Sequence, residues 1–318
     1  KDNVLFQTND ADVALGVDVD IVTLAIDEGI SVSLTCDGHT LSSNFVDLKG
    51  TLELEDNVIG GALNFTGDST GTLILNNSAT ANLAYLASGV SISSTSATAQ
   101  VVLPTGYTRI IDQFSDYAGV LLVSNGAVVY IGGDKDHNDG GTSDFNAGRV
   151  VIESGGAVHT HTTQETITSD WDLRSGATLG NKDKNKKLSG NIRFNIQEDG
   201  TYNANGTVTL MQHWTKNWEL SGLLSGQGNV ELLSASLQSG DAVYKLSGGS
   251  NDFSGAYILK DGQNAGSARK VILELANANA AKDATIKLNS TNSIAIFVCS
   301  NISQFTITNY RQINCCSF

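Results

Sequence analysis

The chain has 318 residues and a formal net charge of −14, with 33 glycines but one proline and one methionine. Nineteen Lys and Arg against 33 Asp and Glu exclude a nucleic-acid partner, whose phosphates need clustered cations. No apolar run approaches the roughly 20 residues that span a bilayer, so no membrane span is expected within this chain. Abundant Gly, Ser, Asn and Thr point to an all-β exported protein rather than a cytosolic enzyme.

From Lys1 to Asp56 short runs rich in branched residues (Val13 to Val19, Ile21 to Ile26) give way to alternation around Val32 and Leu34. This reads as strands forming an N-terminal cap and first coils over 1–56. A repeating unit then appears, in which a turn residue and glycine precede a short apolar alternation. It reads Lys49-Gly-Thr-Leu-Glu-Leu54, Thr70-Gly-Thr-Leu-Ile-Leu75, Asn125-Gly-Ala-Val-Val129 and Ser175-Gly-Ala-Thr-Leu179. Glycines 50 to 71, 156 to 176, 176 to 200 and 200 to 222 step by about 20–24 residues, the length of one solenoid coil. An antiparallel sandwich also alternates, but its turns recur at about 8–12 residues. The pattern therefore predicts a β-solenoid over 57–266, with caps at both ends.

Pro104 to Gly119, with the single proline and three aromatic residues, is expected to be a loop or excursion from the coil. Residues 132–148 form a longer, polar, acidic loop. No glycine follows Gly266, so 267–318 reads as a different coil or cap. In it, Ala276 to Ala284 is expected to be a short helix. Val271 to Leu275, Ile286 to Leu288, Ile294 to Val298 and Phe305 to Ile307 read as strands. Cys36, Cys299, Cys315 and Cys316 permit a disulfide, with three pairings open. The chain starts at Lys1 with no visible export signal and is read either as a processed mature chain or as an artificially bounded expression product.

One stretch carries a family resemblance. It runs Trp218-Glu-Leu-Ser-Gly-Leu-Leu-Ser-Gly-Gln-Gly-Asn-Val, then Tyr244-Lys-Leu-Ser-Gly-Gly-Ser-Asn-Asp-Phe-Ser-Gly-Ala-Tyr-Ile-Leu. Trp218, Leu220, Ser221, Gly222, Gly226, Gly228, Leu246, Ser247, Gly248, Asn251, Phe253, Ser254 and Gly255 fall on its pattern. The stretch resembles the autotransporter-associated β-strand repeat of bacterial secreted passenger domains. It departs from that repeat at Leu233 to Val243, a longer link poorer in glycine. The resemblance implies a right-handed parallel β-helix on a secreted or cell-surface protein, and implies no particular ligand.

Four groups of side chains are candidates for chemistry. Asp134, Asp136, Asn138, Asp139 and Asp144, among glycines, offer oxygens to Ca²⁺, although Asp139 stands where an EF-hand loop needs glycine. His159 and His161 share one strand face and suit a transition metal, with His137 or Glu165 as third ligand. Asp170, Asp172 and Arg174 alternate as the carboxylates and cation of a glycan lyase or hydrolase would. Trp214, with Trp171, Trp218, His213 and Tyr202, offers a platform for a sugar ring, while the resemblance places Trp218 in the core. Lys182 to Lys187 reads as a solvated cationic turn. The leading expectation is a non-enzymatic adhesin or stalk that contacts a host or matrix glycan or protein. A self-assembling filament or layer subunit, built from copies of itself, and a glycan-active enzyme are the alternatives.

Overall fold

Alternating apolar residues put one side of each strand inward. In Thr51–Glu55 and Thr72–Asn76, Leu52, Leu54, Leu73 and Leu75 are buried and their neighbours half-buried. The structure is a computed structural model. It describes the chain apart from residues 1–2, 8–10, 36–38, 40, 56–62, 67–68, 78, 87–88, 134–143, 183–184, 214–216, 236–240, 250, 261–269, 278, 290–293, 298–305, 309–312 and 316–318. All described elements are strands, in stacked parallel sheets, so the chain is an all-β parallel β-helix. Two compact units divide it, residues 1–136 with 141–150 and residues 137–140 with 151–318.

The first unit begins with two columns of strands, and a third opens later in it with Gly106–Ile110. One column runs through Ala11–Ala14, Ser31–Thr35, Thr51–Glu55, Thr72–Asn76 and Ser91–Ser94. Val32, Leu52, Leu73 and Ile92 stack in register along it, one from each coil. The other column pairs Asn3–Phe6, Val19–Ile26 and Leu41–Leu48, and reaches Phe65 through Val46. Farther along it, Ala81, Val101 and Leu121 stack at an even spacing. Pro104 to Gly119 is no excursion from this pattern. Gly106–Ile110 pairs parallel with Ala127–Gly132, and Asp116–Tyr117 pairs with Ser93 and Ser94. Burial of Phe114 and Tyr117, whose rings meet edge-on at 5.4 Å, holds the segment to the core.

The second unit begins with three strands per coil. One column stacks Val158, Leu179, Leu210, Leu232, Leu259 and Leu288. A second stacks Ile167, Leu188, Leu220, Leu246 and Leu275. A third stacks Trp171, Ile192 and Leu224. Burying each such side chain stabilises the fold by about 1.5–3 kcal/mol. Spacing along the first column is uneven: the chain is longer between Leu179 and Leu210 than between Val158 and Leu179 or between Leu210 and Leu232. The even spacing of glycines 176, 200 and 222 therefore does not mark coils. Gly200 turns a small hairpin instead: its φ is 80°, and Ile196 bridges antiparallel to Tyr202. Glycines that do stack, among the described residues, include Gly190, Gly222 and Gly248, and in another column Gly206, Gly228 and Gly255. A Cβ on Gly222 would lie 1.9 Å from Gly190 O, and one on Gly248 would lie 2.2 Å from Gly222 O.

The expected helix at Ala276 to Ala284 is a pair of turns, closed by Ala280 N to Asn277 O and Ala284 N to Ala281 O. Asparagines override the helix propensity of alanine here. Asn277 Nδ2 donates back to the carbonyls of Ser247 and Gly248, and Asn251 Nδ2 to that of Ala280. Both asparagines tie one coil to the next, which a helix would forfeit.

Candidate functional site

The richest chemistry lies in the second unit, on both sides of its coil wall. Close to the leucine column, Thr160, Asn181 and Gln212 also point inward and are fully buried. They satisfy one another: Thr160 Oγ1 donates to Asn181 Oδ1 at 3.2 Å, and Asn181 Nδ2 to Gln212 Oε1 at 3.1 Å. Lys186 is also buried, and its ammonium donates to Thr162 O at 2.5 Å and to Gln164 O. Within the segment expected to be a solvated turn, Lys186 is therefore not solvated, while Asn185 is exposed. Lys186 starts the strand Lys186–Leu188 with its side chain inward, while Lys187 faces out.

Outward residues pair across coils. Asp172 is buried against Arg193, its register partner, whose Nε and Nη2 donate to Oδ1 and Oδ2, the first at 2.5 Å. This hydrogen bond holds the Arg193 guanidinium above its already high ordinary pKa. Asp170 instead accepts from the Asn191 amide at 2.8 Å. Arg174 Nη1 bridges Glu153 and Glu198 at 3.0 and 2.8 Å. The sequence trio Asp170, Asp172 and Arg174 thus engages three separate sets of partners. A parallel ladder stacks Lys187, Glu219 and Lys245, with both ammonium groups 3.6 Å from the Glu219 carboxylate and Ser247 Oγ donating to it at 2.6 Å.

His159 and His161 do share one strand face, both buried. The ring of His159 crosses Gly180, where a Cβ would sit 2.1 Å from Nδ1, and meets His213 edge-on at 5.0 Å. Among the described residues no group of three His, Cys, Asp or Glu is placed to hold a metal ion. Burial, then the charges of His213 and Lys182, push the His159 imidazole down to about 3. Burial, then Lys182 and His161, push His213 down to about 4. Both rings take up protons more readily in the unfolded chain, near pH 6.5. Stability is therefore full above about pH 6.5 and is lost as pH falls toward the folded values. Melting curves between pH 7 and pH 4 are expected to fall less steeply for His213→Gln, by on the order of 2–3 kcal/mol at pH 4.

Of the calcium candidates, Asp134, Asp136, Asn138 and Asp139 lie outside the described residues, as does the aromatic candidate Trp214. Asp144 is exposed, and its amide donates to Asp112 Oδ1 at 3.1 Å. Trp171 and Trp218 are fully buried and form no surface platform, because each faces inward from its strand. Tyr202, half-buried, meets Ser225 Oγ at 3.1 Å. Cys36, Cys299 and Cys316 lie outside the described residues, and Cys315 is described in its backbone alone. Arg193, Lys186 and Glu219 were not legible as site residues. Their partners are distant along the chain, and only the coil length brings them together.

Comparison with protein-family models, curated proteins and solved structures finds no match to this chain. Among the described residues no helix is long and apolar enough to cross a membrane.

Proposed function

We propose that this chain is an exported bacterial surface or extracellular protein that works as an adhesin-like or structural stalk rather than as an enzyme. The observation that carries this reading is the pairing of outward charges between successive coils. Asp172 with Arg193, and Glu219 between Lys187 and Lys245, spend their charge on holding neighbouring coils in register. Such side chains brace a wall, whereas a lyase or hydrolase needs carboxylates converging on one cleft. Resemblance of Trp218 to Leu259 to the passenger-domain repeat supports the same reading. Stacked coils within a unit repeat the same outward positions, which suits repeated contacts with a matrix or host glycan or protein.

A different observation favours the assembly alternative. Among the described residues, Asn3–Phe6 and Ala11–Ala14 are edge strands of their sheets. Beside them a cavity of about 180 Å³ is lined by Val4, Phe6, Val13, Leu15 and Leu24. Open edges of this kind template pairing with another chain. Electron microscopy of the purified chain with light scattering, with and without Ca²⁺, separates the two. Separate thin rods at monomer mass are the expected result. Ordered filaments or layers would replace the stalk reading with assembly, and a compact globule would overturn both.

A further inference from the structure

The second unit carries a groove of about 320 Å³ that crosses three successive coils. Its walls come from the corners where each coil enters the leucine column. Asn229, Ala256 and Thr285 are register partners there, so matching groups recur at the strand spacing of about 4.8 Å. Gln227 and Ser254 flank them on the turn side, Lys287 follows Thr285 on the same strand, and Ala204 closes one wall. Among the described residues, the lining holds amides, hydroxyls and one ammonium, and no aromatic ring.

Two features distinguish this groove from ordinary wet surface. Among the described residues, the side chains of Gln227, Ser254, Thr285 and Lys287 make no hydrogen bond or ion pair, whereas the outward residues described above are mostly paired. Glu231, on the same face of the sheet as Lys287, is taken by Lys260 at 2.5 Å. The floor is also fixed in advance. Asn195, fully buried and held at φ 56°, donates through Nδ2 to Gln227 O at 2.7 Å and Asn229 O at 3.2 Å. Ser175 Oγ in turn donates to Asn195 Oδ1 at 3.1 Å. A floor already ordered costs little to order on binding.

We infer that this groove is a binding track for a neutral, hydroxyl-rich chain, a short oligosaccharide lying across the coils. Side-chain amides and hydroxyls both donate and accept, which matches sugar hydroxyls. The formal charge of −14 disfavours a polyanion in spite of Lys287. The inference rests on the stalk reading and names the ligand class that one of its flanks takes.

The test is calorimetric titration of the full chain with neutral gluco-oligosaccharides, with galacturonate oligomers and with a Gly-Ser peptide as comparisons. Neutral oligosaccharides are expected to bind, with little dependence on salt. Ala204→Tyr, at an exposed wall position, is expected to abolish binding without lowering the melting temperature. The double variant Ser254→Ala with Thr285→Val, which removes both hydroxyls and adds no bulk, is expected to weaken binding about tenfold or more. Absence of saccharide binding, preference for the acidic oligomer or the peptide, or unchanged affinity in both variants would each overturn the inference. Rods without saccharide binding would remove this inference and leave the stalk; filaments that bind saccharide would do the reverse.

Discussion

Gly222→Ala is expected to lower the melting temperature of the chain by roughly 5–10 °C, while Gly249→Ala leaves it nearly unchanged. A Cβ at Gly222 would lie 1.9 Å from the carbonyl oxygen of Gly190 and 2.5 Å from its carbon. The obstacle is backbone, so no side chain can rotate away, and the two coils must separate locally. Overpacking of this kind costs about 2–3 kcal/mol, at about 2–4 °C per kcal/mol for a unit of this size. A Cβ at Gly249 meets nothing within 4 Å, and a change there is expected to stay within about 0.5 kcal/mol. Thermal melts followed by far-ultraviolet circular dichroism read the difference. Equal melting temperatures for the two variants would mean that Gly190 and Gly222 are not stacked.

Trp218→Ala is expected to cost about 3–5 kcal/mol, more than any other single truncation in its coil. Trp218 is fully buried, stands between Lys186 and Tyr244 in register, and meets the Tyr244 ring at 5.7 Å. Removing it opens a cavity against Tyr244, whose hydroxyl is fixed between Leu210 O at 2.9 Å and Leu233 O at 2.5 Å and cannot collapse into the space. Trp218→Phe is expected to cost far less, about 1 kcal/mol. The indole Nε1 is buried with no acceptor among the described residues, so losing that donor offsets part of the lost volume. Urea denaturation of the three proteins tests both steps. If Phe costs as much as Ala, the indole nitrogen has an acceptor of its own.

Alternation within a strand is local, so Leu52 and Leu54, or Val271 and Leu273, announce their buried face directly in the sequence. His159 and His161 are placed on one face by the same rule. Coil length is not local. Gly200 occupies the position that an even glycine step requires, yet it turns a hairpin, and the glycine stacked before Gly222 is Gly190. Every cross-coil partnership depends on that count. The sequence groups Asp172 with Asp170 and Arg174, its neighbours along the chain, while the structure gives it Arg193. Lys186 sits among lysines and aspartate, a solvated setting in sequence, but the strand it begins turns it inward toward two carbonyls. Alanines 280, 281 and 284 suggest a helix because the bonds of Asn277 and Asn251 act across a coil rather than within a turn.

Coil register therefore supports the fold, the paired flank and the groove alike, and a cysteine cross-link tests it most directly. Thr178 and Thr209 are register partners on half-buried strand positions, in successive coils of one column. Even glycine spacing would instead bring Thr178 opposite Tyr202. With the four native cysteines replaced by serine, Thr178→Cys with Thr209→Cys is expected to form a disulfide readily, since neighbouring strands place Cα atoms about 4.8 Å apart. Thr178→Cys with Tyr202→Cys is expected to stay reduced under the same oxidant. The reverse pattern would contradict the stacking of this unit, and with it the pairing of Asp172 with Arg193, the glycine column and the groove.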